Sequence, residues 1–143
     1  MQPRIELPLS LLTIATPLDR AGYRVVIIDQ RIEKSWRQRL LEELACEPVC
    51  VGITSMTGPQ ISHGLDAAAV VRRHSNAPIV WGGIHPTLMP RQTVAHKLVD
   101  IVVEGEGEET FFELVQALEN RTPLDAVKGI WYKTDDGICN TAP

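Results

Sequence analysis

The sequence carries no surplus of positive charge. Lys and Arg number 14 against 18 Asp and Glu, giving a net charge of −4, and no Lys/Arg-rich stripe interrupts that balance. Nucleic acid and anionic membranes are therefore not expected as main partners, because both are bound through clustered cations. Long apolar runs are lacking too. The longest, residues 7–18, is broken by Pro8, Ser10, Thr13, Thr16 and Pro17, too short and too interrupted to span a bilayer. No basic region followed by an apolar run opens the chain, so no signal peptide is visible. Cysteine is scarce and odd in number, at three. That count makes no disulfide framework and suits a cytoplasmic, reducing setting. Internal repeats and low-complexity segments are absent.

What is present is ordinary for one globular domain. The chain has 143 residues, 44% hydrophobic and 22% charged, enough to bury a core and atypical of disorder or coiled coil. Short β-branched runs alternate with longer helical stretches. Strands are expected at residues 24–29, 48–54, 77–81 and 100–103. These runs are continuously apolar, as in parallel strands covered on both faces. Helices are expected at residues 9–20, 34–45, 59–74 and 108–118, where apolar residues recur near a period of 3.6. Strands separated by helices of that length imply right-handed crossovers and a three-layer α/β fold with a parallel sheet. Residues 127–133 and 138–141 read as two strands around Asp135-Asp136-Gly137, a hairpin signal. The chain opens with a helix, whereas a doubly wound sheet normally opens with a central strand. Only Ile5, Glu6 and Leu7 are strand-like upstream. Either this stub pairs poorly or the first strand is missing.

In an open parallel sheet, ligands sit at the carboxyl ends of the strands. After the second strand come Thr54, Ser55, Met56, Thr57, Gly58 and Pro59. Their hydroxyls can hydrogen-bond a polar ligand, or Thr57 can simply cap the next helix. After the third come Gly82, Gly83, Ile84, His85, Pro86 and Thr87. The paired glycines let a ligand approach the backbone or permit positive φ. His85 has no companion at metal-ligand spacing, so a zinc site is not expected. After the fourth come Glu104, Gly105, Glu106, Gly107, Glu108 and Glu109. The layout resembles a dinucleotide loop, but four carboxylates would repel a pyrophosphate. Acids there favour the helix dipole, and the glycines allow approach by a ligand other than a bare phosphate. Asp29, after the first strand, is expected to act as a cap or turn residue.

Cys46 and Cys50 form half of a Cys-x3-Cys-x2-Cys pattern, whose third position is Ile53. No iron–sulfur cluster is expected here, and buried inert thiols are the default. No nucleophile, base and orienting acid come together. The pattern is that of a binding module, with no catalytic residues and no metal ligands of its own.

Taken together, Pro8-Leu9-Ser10-Leu11-Leu12, Gly22-Tyr23-Arg24-Val25, Val51-Gly52-Ile53-Thr54-Ser55-Met56-Thr57, Trp81-Gly82-Gly83-Ile84-His85-Pro86-Thr87 and Gly105-Glu106-Gly107-Glu108 are similar to one family. The chain resembles the cobalamin (vitamin B12)-binding N-terminal domain of radical SAM enzymes, the group of the anaerobic magnesium-protoporphyrin IX monomethyl ester cyclases and many methyltransferases. The resemblance implies a flavodoxin-like cobalamin-binding fold with the corrin over the carboxyl edge of the sheet. The implied contacts are Thr54, Ser55, Met56, Thr57, Gly58, Gly82, Gly83, His85, Pro86, Gly105, Glu106, Gly107 and Glu108. The Asp-x-His-x-x-Gly motif that supplies a cobalt ligand in other cobalamin domains is absent, which implies base-off cobalamin with no protein ligand on cobalt. The family begins with a strand and loop that this sequence does not show. It also implies a 4Fe–4S cluster and S-adenosylmethionine in a radical SAM domain downstream. Residues 1–122 are accordingly expected to form the cobalamin-binding unit, and residues 123–143 a connector hairpin. The alternatives are a receiver or flavin-binding domain of the same topology, or a degenerate domain that binds nothing and serves interdomain packing.

Overall fold

The computed structural model describes residues 9–55 and 58–142. The chain opens with helix α1 (Leu9–Arg20), crosses a segment outside any helix or strand, and continues through α2 (Trp36–Leu44), β1 (Val51–Thr54), α3 (Pro59–His74) and β2 (Ile79–Gly82). Two short helices, α4 (Ile84–Leu88) and α5 (Pro90–Val94), precede β3 (Ile101–Val103). Helix α6 (Glu108–Asn120) and a 3-10 turn (Leu124–Ala126) lead to the hairpin β4 (Ile130–Thr134) and β5 (Gly137–Asn140).

The five strands form one sheet in the order β1-β2-β3-β4-β5. The pairs β1–β2 and β2–β3 are parallel, while β3–β4 and β4–β5 are antiparallel. The expected hairpin is therefore present, and it extends the same sheet. Its two-residue loop is Asp135-Asp136, with Thr134 paired to Gly137. Lys133 ties it down, its Nζ donating to the carbonyls of His96 at 2.7 Å and Val99 at 2.6 Å.

Alternation along the strands sorts side chains into two cores. Ile79, Trp81 and Val102 face α2 and α3, where Leu40, Leu44, Ala68 and Val71 are buried. Val80, Ile101 and Val103 face α6, against Leu114 and Ala117. Both faces of β2 and β3 are thus covered, which is why their sequences are apolar without alternation. Burying a side chain such as Leu114 completely contributes about 1.5–3 kcal/mol. Asp100 fastens the amino edge of this half. It accepts from the backbone N–H of Ile79 at 2.8 Å and pairs with Arg72 at 2.8 Å.

One strand expectation is corrected. Residues 24–29 form no regular element and, among the described residues, join no sheet. Their run Arg24-Val25-Val26-Ile27-Ile28 has strand composition, but a strand is completed by a neighbouring backbone, and among the described residues none bonds to it. Among the described residues, Arg24 to Ile28 make no backbone–backbone hydrogen bond. The segment is held at its ends instead. Tyr23 donates to Glu119 and Arg24 pairs with Glu43 at 2.6 Å, while the Gln30 side chain donates to the carbonyl of His63 at 3.2 Å.

Candidate functional site

The carboxyl ends of β1, β2 and β3 bring three of the expected loops together. Thr54 closes β1, and Ser55 follows it into the interior, 1% exposed. The Ser55 amide donates to the Gly82 carbonyl at 3.1 Å, and its carbonyl accepts from the His85 amide at 3.3 Å. Its Oγ is buried and finds no partner among the described residues. An orphaned buried hydroxyl costs about 1–3 kcal/mol, so a partner that reached this atom would be stabilising. Met56 and Thr57 lie outside the described residues, so the capping expectation for Thr57 lies there too. Gly58 holds the N-cap position of α3.

Gly82 and Gly83 play different parts. A side chain on Gly83 would press within 2.8 Å of the Ser55 carbonyl and the Thr54 hydroxyl, and its φ is 107°. Gly83 is therefore required by the chain itself, for the close approach of the β2 loop to the β1 loop. Gly82 meets nothing nearer than the Val103 carbonyl at 4.0 Å, so the space over it is open. His85 and Pro86 lie in α4 behind this pair, Pro86 buried and His85 half-buried. The third loop is tied to the second by Thr87, whose Oγ1 accepts from the Gly105 amide at 3.0 Å. Gly107 takes the left-handed conformation at the N-cap of α6, and Glu108 and Glu109 occupy the first turn, as the dipole argument expects. Gly105, Glu106 and Glu108 are exposed. Glu104 points away to the hairpin, accepting from the Trp131 indole N–H at 2.8 Å.

Thr87 is a residue that motif reading undervalued. Its role depends on a loop 18 positions away, and no local spacing announces that. Asp29 performs the expected turn role. Its carboxylate accepts from the Arg31 amide at 3.0 Å and pairs with the guanidinium at 2.8 Å. That pairing holds the carboxyl below its ordinary value. Cys50 fits the expectation of an inert thiol, since burial pushes its pKa up to about 12. Cys46 is exposed and Cys139 half-buried.

A cavity of about 540 Å³ begins at this edge, at Gly82, Gly83, Gly105 and Gly107, and runs down between β1 and the 24–28 segment. Its size falls within the ordinary range for small-molecule sites. Among the described residues, no group of three or more His, Cys, Asp or Glu is placed to hold a metal ion. No described helix is long and apolar enough to cross a membrane.

A three-layer α/β domain with a glycine-lined crevice at the carboxyl edge defines a class of small-ligand carriers. The B12 binding domain family matches residues 4–115, and the chain belongs to that family. It is similar to the cobalamin-binding module of B12-dependent radical SAM enzymes, which selects the cobalamin reading over a receiver or flavin domain. The anaerobic magnesium-protoporphyrin IX monomethyl ester cyclase of Synechocystis sp. is 30% identical over 99% of this chain and 29% of its own length. The enzyme of the same name from Cereibacter sphaeroides is 34% identical over 87% of this chain and 21% of its own. The chain thus spans less than a third of these curated relatives. Among solved structures, the radical S-adenosylmethionine methyltransferase TsrM from Kitasatospora setae, with cobalamin and a 4Fe–4S cluster bound, superimposes with a TM-score of 0.84. It is 26% identical, and the match covers 100% of this chain and 27% of that one. The fold is also that of the cobalamin-dependent S-adenosylmethionine radical enzyme OxsB, with a TM-score of 0.76 over 96% of this chain and 20% of that one.

The residues present suit cobalamin. Its corrin is rimmed with amides, which suit a buried hydroxyl without a partner among the described residues and open space over Gly82. The carboxylates after β3 disfavour a bare phosphate ligand at that loop but not hydrogen-bonding amides.

Proposed function

We propose that this chain holds base-off cobalamin at the carboxyl edge of its sheet and is the cobalamin-binding module of a longer B12-dependent radical SAM enzyme, of the cyclase or methyltransferase type. The observation that carries the site is the buried Ser55 Oγ without a partner among the described residues, beside the open backbone of Gly82. In this reading Thr54 and Ser55 offer hydroxyls, with Met56, Thr57 and Gly58 continuing the same loop. Gly82 and Gly83 give backbone approach, His85 and Pro86 support them from α4, and Gly105, Glu106, Gly107 and Glu108 line the opposite side. When bound, cobalamin supplies methyl-group transfer or electron and radical chemistry.

The chain's own part is to bind and orient. Thr87 fixes the distance between the Gly82 and Gly105 loops, and Gly83 locks the Gly82 loop onto Ser55. Cobalt takes no ligand from the protein in this reading. A 4Fe–4S cluster and S-adenosylmethionine belong to a radical SAM domain in the same polypeptide, with residues 1–122 as the module and 123–143 as its connector. A relative solved with cobalamin and a cluster together supports that arrangement, and a cytoplasmic setting completes it.

Titration with hydroxocobalamin, followed by visible absorption, tests the reading. A saturable shift to a base-off spectrum, weakened at least about tenfold by Gly82→Val with unchanged stability, is expected. No saturable change, or unaltered affinity in the variant, rejects this placement.

A further inference from the structure

The hairpin β4–β5 lies beyond the residues that match the family, yet it reaches the candidate site. β4 runs antiparallel to β3, so its first residues stand at the carboxyl edge. The short strand β3 is held unequally by its two neighbours. Its pairing with β2 ends at Trp81 opposite Val102. With β4 it continues to Val103 opposite Ile130. The Glu104 amide then donates to the Gly129 carbonyl at 3.0 Å, and the Gly129 amide to the Ala142 carbonyl at 3.0 Å. The end of β3 therefore follows the hairpin and parts from β2, which leaves the space over Gly82 open.

The side chains repeat this arrangement. The Trp131 indole N–H donates to the Glu104 carboxylate at 2.8 Å, and a bond to an ionised acceptor is of the stronger kind. The Trp131 ring packs against the core beneath α2 and α3, so the donor has a fixed origin. Ahead of β3, Lys133 binds the carbonyls of His96 and Val99. The hairpin thus holds the chain on both sides of β3. Beyond Glu104 the loop carries Gly105 and Gly107, both at positive φ. Glycines leave an unanchored loop loose, and a ligand that must order a loose loop binds more weakly. Thr87 anchors Gly105 from α4, and Trp131 anchors Glu104 from the hairpin. The same bond turns the Glu104 carboxylate away from the crevice.

We propose that Trp131 is a positioning residue for the cobalamin site, so that the hairpin belongs to the binding unit and is more than a connector. Through Glu104 it fixes the loop at residues 104–107 before a ligand arrives, and it keeps one carboxylate out of the crevice. The bond is complete in the cofactor-free chain, so cobalamin leaves the hairpin backbone as it is. The effect on affinity rests on the proposed function; the effect on the loop does not.

The test compares Trp131→Phe, Glu104→Ala, Glu104→Gln and the Trp131→Phe/Glu104→Ala pair in the intact chain. Phenylalanine keeps an apolar ring and removes the donor, while glutamine keeps an acceptor without the charge. Amide exchange is read first, without cobalamin. Trp131→Phe and Glu104→Ala should each lower protection at the bonded amides of Glu104 and Gly105 about three- to tenfold, with β2 unchanged. Hydroxocobalamin titration should show a weakening of similar size in both. The pair should lose no more than either single change, because both remove one contact. Glu104→Gln should stay within about twofold of the parent in both readouts. Unchanged loop protection in Trp131→Phe, or unchanged affinity where the parent binds, would overturn the proposal. So would additive losses in the pair, or lowered protection across the whole sheet, which would make Trp131 a general packing residue. A parent chain that binds no hydroxocobalamin would reject the proposed function and the affinity effect with it, and loop protection alone would then uphold or reject the brace.

Discussion

The two halves of the sheet are built to different standards. Around β2 and β3 every strand side chain except Gly82 is buried, and both edges of each strand are paired. Around β1 the strand is only half-buried, with one edge paired among the described residues, and its neighbour at residues 24–28 stands across a cavity. The same kinds of residue, Val and Ile, occupy both halves. Composition therefore does not decide whether a strand forms; a partner backbone does. The closed half positions the Gly82 and Gly105 loops, and β1 carries Ser55 to the same edge.

The contrast can be broken most forcefully in the closed half. Trp81→Ala should cost about 3–5 kcal/mol in denaturant unfolding, toward the lower figure because its buried indole N–H finds no acceptor among the described residues. Val26→Ala, beside an existing void, should cost less than about 1 kcal/mol. Equal costs in the two would erase the distinction. The glycine pair sharpens it at the site itself. Gly83→Ala should lose about 1–3 kcal/mol, because the new methyl meets backbone that cannot yield. Gly82→Ala should stay within about 0.5 kcal/mol of the parent, and Gly82→Val should do likewise while losing cobalamin affinity.

The smallest effect is expected in the acid limb of stability. The Asp29 carboxyl is held low in the folded state by Arg31. Its contribution is present above the unfolded carboxylate value, about 4, and is lost as pH falls through the lower folded value. Asp29→Asn should flatten that part of the profile only slightly, since the Arg31 partner is half-exposed. A steep loss confined to higher pH would contradict the assignment.

Much of this was legible in the residues. Pro59 and His74 bound α3 where the periodicity places it, and Leu9 and Arg20 bound α1, because apolar spacing and a helix-starting proline are local signals. The loops at Ser55, Gly82 and Gly105 were legible because a parallel sheet delivers its loops to one edge. Three things were not. Residues 24–29 looked like a strand, since pairing is non-local. Helices α4 and α5 are five residues each, too short to show a period. The Thr87–Gly105 bond and the division of labour between Gly82 and Gly83 depend on distances between loops, which no spacing along the chain encodes.

The central claim is that cobalamin sits on the carboxyl edge, against Ser55 and Gly82. Amide hydrogen exchange with and without hydroxocobalamin tests it most directly. The account predicts slowed exchange in the loops at residues 55–58, 82–87 and 104–108, with the hairpin at residues 130–140 unchanged. Protection confined to the hairpin or the amino edge, or no protection at saturating hydroxocobalamin, would contradict it.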